Sequence, residues 1–228
     1  MKLARLLPLL LAVPTLAWAP SVTPKLAQEV VDSVYSRINP IPTLLQISLQ
    51  VTDGAFPSGT QVGLLYGTPK TCLDPWLQDP TDYAKYGSRP VEITLAGQAN
   101  AVALVAAQAR NAFQVISGTQ ALAEAKKMFP DGELQVYVEI HGLAHEFQRA
   151  AYNVGIMVQK GQFLHPIKIA YLEDWKKGPS GRWEGTMLYT FDLSKAPIDP
   201  QGTLTLVLQT ESTANCTYLI SANLANFN

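Results

Sequence analysis

From residue 134 onward the chain alternates. Leu134, Val136, Val138 and Ile140 occupy every second position against Gln135, Tyr137 and Glu139, the period of a strand with one face buried. Runs of the same kind occupy residues 153–158, 164–172, 182–193, 203–209 and 216–224. Between them lie turn signals: Lys160-Gly161, Gly178-Pro179-Ser180-Gly181, Asp199-Pro200-Gln201-Gly202 and residues 211–215. Short strands broken by turn residues at near-regular intervals predict an antiparallel β-sandwich. A membrane barrel is the rival, but the early helices and a long Pro-rich loop are not barrel features.

The first half is mixed. Thr23-Pro24 supplies a cap and a first helical residue, and Leu26, Val30, Val34 and Ile38 follow four apart, one apolar stripe of a helix that Asn39-Pro40-Ile41-Pro42 stops. Leu45, Ile47, Leu49 and Val51 then restore the period of two, predicting a strand over 43–51, and residues 61–66 and 91–95 predict two more. Residues 67–90, rich in Pro, Asp, Gly and Tyr, read as one long ordered loop. The alanine-rich stretch 100–112 reads as a helix, 113–117 as strand-like, and Thr119 as the cap of a short helix ended by Pro130-Asp131-Gly132. The expected fold is therefore mainly β, with α+β as the variant: a sandwich with an N-terminal helix and one or two short helices in the first half. No linker divides the chain.

The N-terminus changes the picture. Lys2 and Arg5 precede an apolar run of about 14 residues, Leu6 to Ala19, that ends in Ala17-Trp18-Ala19. That order is a secretory signal, and the run is shorter than the ~20 residues of a membrane-spanning helix. The organisation expected is a leader over 1–19, cut after Ala19 or after Ala17 because Pro20 hinders the first, and one β-rich domain over 20–228 without a transmembrane helix. An uncut membrane anchor is the alternative.

Composition agrees with export. Hydrophobic residues make up 47% of the chain and charged residues only 15%, enough apolar surface for a core and too little charge for a disordered chain. Net charge is −1 and the only Lys/Arg runs are doublets, which excludes nucleic acid as the expected partner. The two cysteines, Cys72 and Cys216, read in an oxidising compartment as a disulfide; separate buried thiols or a reactive thiol are the alternatives. Asn215-Cys216-Thr217 matches a glycosylation acceptor, a pattern that a disulfide at Cys216 would hinder.

The chemistry-bearing residues are few. His141, His145 and His165 are the only histidines. His141 and His145 are four apart, a spacing that shares an ion on a helix, where side chains lie about 6 Å apart, but not on a strand, where they stand roughly 13 Å apart. His145-Glu146-Phe147-Gln148-Arg149 approaches the zinc-protease helix pattern but puts arginine at the second ligand position. A zinc or copper centre using all three histidines is the metalloenzyme alternative; polar residues near a strand end are the plainer one. Glu139, Glu173, Asp174, Glu184 and Asp192 offer carboxylates for a glycosidase pair, which needs two of them facing one cleft; solvated faces and turns also explain them. Trp175, Trp183, Tyr189 and Phe191 form either a sandwich core or an aromatic platform for a ligand.

No nucleophile elbow, phosphate loop or dinucleotide motif is complete, and no cofactor is expected. The reading that results is a non-catalytic domain of the periplasm, cell envelope or extracellular space. It binds a neighbouring envelope protein or a cell-surface polymer, with the metalloenzyme and a carrier of an apolar ligand as alternatives.

Overall fold

The computed structural model describes residues 18–36, 40–159, 161–194, 196–212 and 215–228; of the leader expected over 1–19, residues 1–17 lie outside them. In chain order the elements are α1 (Pro24–Ser36), β1 (Leu44–Ser48), β2 (Val62–Tyr66), α2 (Pro69–Cys72), α3 (Asp74–Gln78), α4 (Tyr83–Tyr86), β3 (Arg89–Ala96), α5 (Gln98–Asn111), α6 (Gly118–Met128) and β4 (Glu133–Leu143). After a 3-10 turn follow β5 (Asn153–Gln159), β6 (Gln162–Leu164), β7 (Lys168–Tyr171), β8 (Lys176–Lys177), β9 (Trp183–Asp192), β10 (Thr203–Gln209) and β11 (Thr217–Asn223).

The strands form two antiparallel sheets. The first runs β1-β3-β4-β9-β7, with the short β8 also on β9; the second runs β2-β11-β10-β5-β6. Alternation decides which side faces in. Leu134, Val136, Val138 and Ile140 of β4 are 0% exposed, as are Ile93, Leu95, Tyr189 and Phe191 of the flanking strands. They meet Val154, Ile156, Leu206, Leu208 and Ile220 from the second sheet in one continuous core. The interior is filled by side chains, and the mainly β sandwich expected from the alternation is the fold observed. Tyr189 and Phe191 belong to this core rather than to an outward platform, and Trp175 and Trp183 are packed partly buried against it.

A second, smaller core holds α1, α5 and α6 together, around Val30, Val31, Val102, Val105, Ala121 and Leu122. Close approach is built into it: a Cβ on Gly118 would lie 2.4 Å from the backbone nitrogen of Gln28, and Gly118 N–H donates to Gln28 Oε1 at 2.7 Å. Buried Gln98 ties this unit to the chain entry. Its Oε1 accepts from Val22 N–H at 2.9 Å, and its Nε2 donates to Phe129 O and to Asp131 Oδ1, both at 2.9 Å.

Four segments differ from the sequence expectation. Residues 67–90 are three short helices, α2 to α4, rather than a loop, and Trp76 from them is 1% exposed. Residues 113–117 are no strand. The amides of Phe113 and Gln114 donate to Arg110 O and Ala109 O, the double closure that ends α5, and Phe113 takes the left-handed residue at φ 58° while fully exposed. The cap of α6 is Ser117, in a capping box with Gln120, rather than Thr119. The run 164–172 splits at His165-Pro166-Ile167, with β6 in the second sheet and β7 in the first, because proline cannot donate in a ladder.

The ends of the domain are tied together. Trp18, grouped with the leader in the sequence reading, is 2% exposed and part of the main core; its N–H donates to Leu224 O at 3.0 Å. Cys72 and Cys216 form a disulfide with Cα atoms 5.7 Å apart, pinning α2 to the start of β11. No helix among the described residues is long and apolar enough to cross a membrane.

Candidate functional site

The outer face of the first sheet carries what the inner face excludes. Positions that alternate with the core residues put Glu92 and Thr94 of β3, Tyr137, Glu139 and His141 of β4, and Glu184 and Thr186 of β9 on one side of the sheet. Register brings them together: Glu92 stands opposite Glu139, Thr94 opposite Tyr137, Glu139 opposite Thr186 and His141 opposite Glu184. A shallow cleft of about 320 Å3 crosses these strands, from Leu44 on β1 past Glu92, Thr94, Tyr137 and Glu139 to Thr186, with Asn100 of α5 and Leu172 at its rims.

Each polar group is held. Thr94 Oγ1 donates to Glu92 Oε1 at 3.1 Å, and Tyr137 OH donates to Gln135 Oε1 at 2.7 Å. His141 Nε2 lies 2.8 Å from Glu139 Oε1, and its Nδ1 lies 3.9 Å from Glu184 Oε2. Lys176 reaches Glu184 at 3.8 Å. Asp174 accepts from the backbone N–H and the hydroxyl of Thr186 at 2.9 and 2.6 Å, which fixes the turn after β7 beside the cleft. Half-burial raises the Tyr137 phenol above its ordinary pKa of 10.0, so this ring remains a neutral, partly apolar surface. Three carboxylates, Glu92, Glu139 and Glu184, thus share this face with His141, which meets Glu139 and Glu184, and with Lys176, which meets Glu184.

The three histidines go to different places. His141 belongs to this face. His145 precedes the 3-10 turn Glu146–Ala151 and stacks on Phe147 at 5.3 Å. His165 lines a cavity of about 150 Å3 with Tyr66, Phe163 and Val207 on the outer side of the second sheet. Among the described residues no group of three or more His, Cys, Asp or Glu side chains stands close enough to hold a metal ion. The spacing of His141 and His145 fails for a local reason: β4 continues to Leu143 through a bulge at Gly142, where φ is +98° and a Cβ would strike the Tyr83 ring at 2.2 Å. Arg149, at the would-be second ligand position, bonds Glu146 at 2.6 Å and lies over the Tyr171 and Trp175 rings. Of the remaining carboxylates, Asp192 accepts from the N–H and hydroxyl of Ser194 at 2.9 and 2.6 Å, a turn role.

Of the residues on this face, Glu139, His141, Asp174 and Glu184 stand out in the sequence, whereas Glu92, Thr94, Asn100 and Thr186 do not. The signal for Glu92 and Thr94 is present, since both alternate with Ile93 and Leu95. Only the strand order β3-β4-β9 sets them beside Glu139. In comparisons with known proteins, no family model, characterised protein or solved structure matches the chain.

Proposed function

We propose that this is an exported, non-catalytic binding domain of the cell envelope whose polar sheet face holds a segment of a neutral or amine-bearing surface polymer. The observation that carries the reading is the set Glu92, Thr94, Tyr137, Glu139 and Thr186, gathered from three adjacent strands along an open cleft, with Glu184 on the same sheet face beside it. Carboxylates and threonine hydroxyls on a rigid sheet accept hydrogen bonds from ligand hydroxyls and ammonium groups, and such charge-assisted bonds are the stronger kind. A half-buried tyrosine ring offers the apolar contact that sugar rings use. The disulfide supports residence in an oxidising compartment, and the leader pattern supplies the route.

The test is co-sedimentation of the purified protein with insoluble envelope polymer from its host, alongside Glu92→Gln and Glu139→Gln. Retention by the parent and at least ~10-fold weaker retention by the variants, with thermal stability unchanged, is the expected result. No retention, or retention indifferent to both substitutions, overturns it. One observation favours a second, catalytic reading. Glu92 and Glu139 are cross-strand partners on one face of the sheet, and a pair of carboxyl groups facing one cleft is what a retaining glycosidase uses, at ~5–5.5 Å separation. Release of soluble reducing ends from the polymer, abolished by Glu139→Gln, would establish that reading in place of the first.

A further inference from the structure

Arg89 opens β3, yet it is only 5% exposed. A buried guanidinium is costly unless anions or several acceptors surround it. Here the accounting is incomplete. Nη1 donates to Tyr86 O at 2.9 Å and to Ser88 O at 3.1 Å. Nε is buried without an acceptor, and Arg89 takes part in none of the ion pairs among the described residues. Glu211 lies in the same region, but each of its oxygens accepts from Ser88 and no ion pair among the described residues joins it to Arg89. Ser88 N–H donates to Oε1 at 2.8 Å and the Ser88 hydroxyl donates to Oε2, while that hydroxyl also meets Tyr152 OH at 2.5 Å. The guanidinium instead lies 5.7 Å over the Trp76 ring.

Two clefts end on this side chain. One, of about 220 Å3, is lined by Arg89, Lys85, Thr71, Tyr86 and Tyr218 beside the disulfide. It brings a second cation and four hydroxyl-bearing side chains, Ser212 among them, to Arg89, and among the described residues no carboxylate lines it. The other, of about 230 Å3, reaches Arg89 from the side of Tyr83 and His141. Lys85 is held over the Tyr86 ring at 4.7 Å, so its charge stays at the mouth of the first cleft. Two cations at different depths, one of them buried and short of acceptors, match an oxyanion inserted between them, because guanidinium and ammonium donors bind carboxylate and phosphate oxygens through charge-assisted bonds.

We infer that the cleft between Lys85 and Arg89 is a binding site for a small oxyanion group, a carboxylate or a phosphate, whether free or at the end of a larger molecule. It is separate from the cleft that Glu92 and Glu139 line and does not depend on the reading given for that face.

The test titrates the disulfide-intact protein with sodium phosphate and, separately, sodium acetate, at constant ionic strength with chloride as the balancing ion. Binding is read by calorimetry and by thermal unfolding. Saturable binding by at least one of the two, with Kd on the order of 1 mM, is expected. Lys85→Ala, an exposed change that leaves the fold intact, weakens it roughly three-fold. Arg89→Gln weakens it at least ~30-fold. The acetate and phosphate arms tell the two classes apart, and a peptide with a free C-terminal carboxylate, compared with its amide, tells a free ion from an end group. Should Arg89→Gln fail to fold, Lys85→Ala decides alone. No saturable response to either anion, or saturable binding that Lys85→Ala leaves unchanged, overturns the inference.

Discussion

Trp18 gives the sharpest quantitative expectation. Its indole is 2% exposed within the main core, and it occupies the space a side chain at residue 97 would need, since a Cβ on Gly97 would lie 2.8 Å from Trp18 Nε1. Truncating a buried tryptophan to alanine costs about 3–5 kcal/mol. One feature lowers that figure: Trp18 Nε1 is buried without an acceptor, and an unmet donor already costs the folded state about 1 kcal/mol or more. The N–H bond from Trp18 to Leu224 O survives the substitution, being backbone. The net expectation for Trp18→Ala is a loss of about 2–4 kcal/mol, which in a domain of this size lowers Tm by roughly 5–15 °C. Thermal and urea unfolding of a chain beginning at residue 18 measure it. A loss below ~0.5 kcal/mol, the level of an ordinary surface change, would refute the placement of Trp18 in the core. The same burial bears on processing. A cut after Ala19 would remove the indole and a cut after Ala17 would keep it, so the mature protein from its host is expected to begin at Trp18. A mass or N-terminal sequence beginning at Pro20 would refute that expectation.

Two further outcomes follow from covalent and titrating groups. The Cys72–Cys216 bridge closes a separation of 144 residues, and on the chain-entropy account its reduction costs about 5 kcal/mol; equal urea midpoints with and without reductant would contradict this. Burial raises the phenols of Tyr152, Tyr189 and Tyr218 above the ordinary 10.0. A group whose folded pKa is raised adds stability below its unfolded pKa and loses it as pH rises, so stability falls once pH passes about 10. Phenolate absorbance should then show these three rings ionising only as the chain unfolds, and their full titration in a still-folded protein would refute it.

Much of the architecture was legible along the chain. The alternation at 134–140 marked β4 and its buried face, the stripe Leu26, Val30 and Val34 marked α1, and the alanine-rich stretch marked α5. Each signal is a local period, and a period needs no knowledge of partners. The misreadings fell where local apolarity served another purpose. Phe113 and Val115 are exposed residues of a helix closure and the loop after it, and the apolar run 164–172 changes sheets at Pro166.

What the sequence determined by itself was therefore the class of the fold, its strand faces and, from two cysteines in an exported-looking chain, the one covalent pairing. Tertiary structure alone decided which polar faces meet. Glu92 and Glu139 are 47 residues apart in the numbering, and only the pairing of β3 with β4 around the inserted α5 and α6 makes them neighbours. The three histidines, alike on paper, are parted because strand register and sheet assignment send each to a different surface. Arg89 falls in the sequence within the stretch 67–90 read as a loop, and only the fold buries it, over the Trp76 ring and against Tyr86 O. Periodicity reports the direction a side chain faces relative to its own backbone. Which groups share a cleft depends on long-range pairing energies that no local pattern encodes.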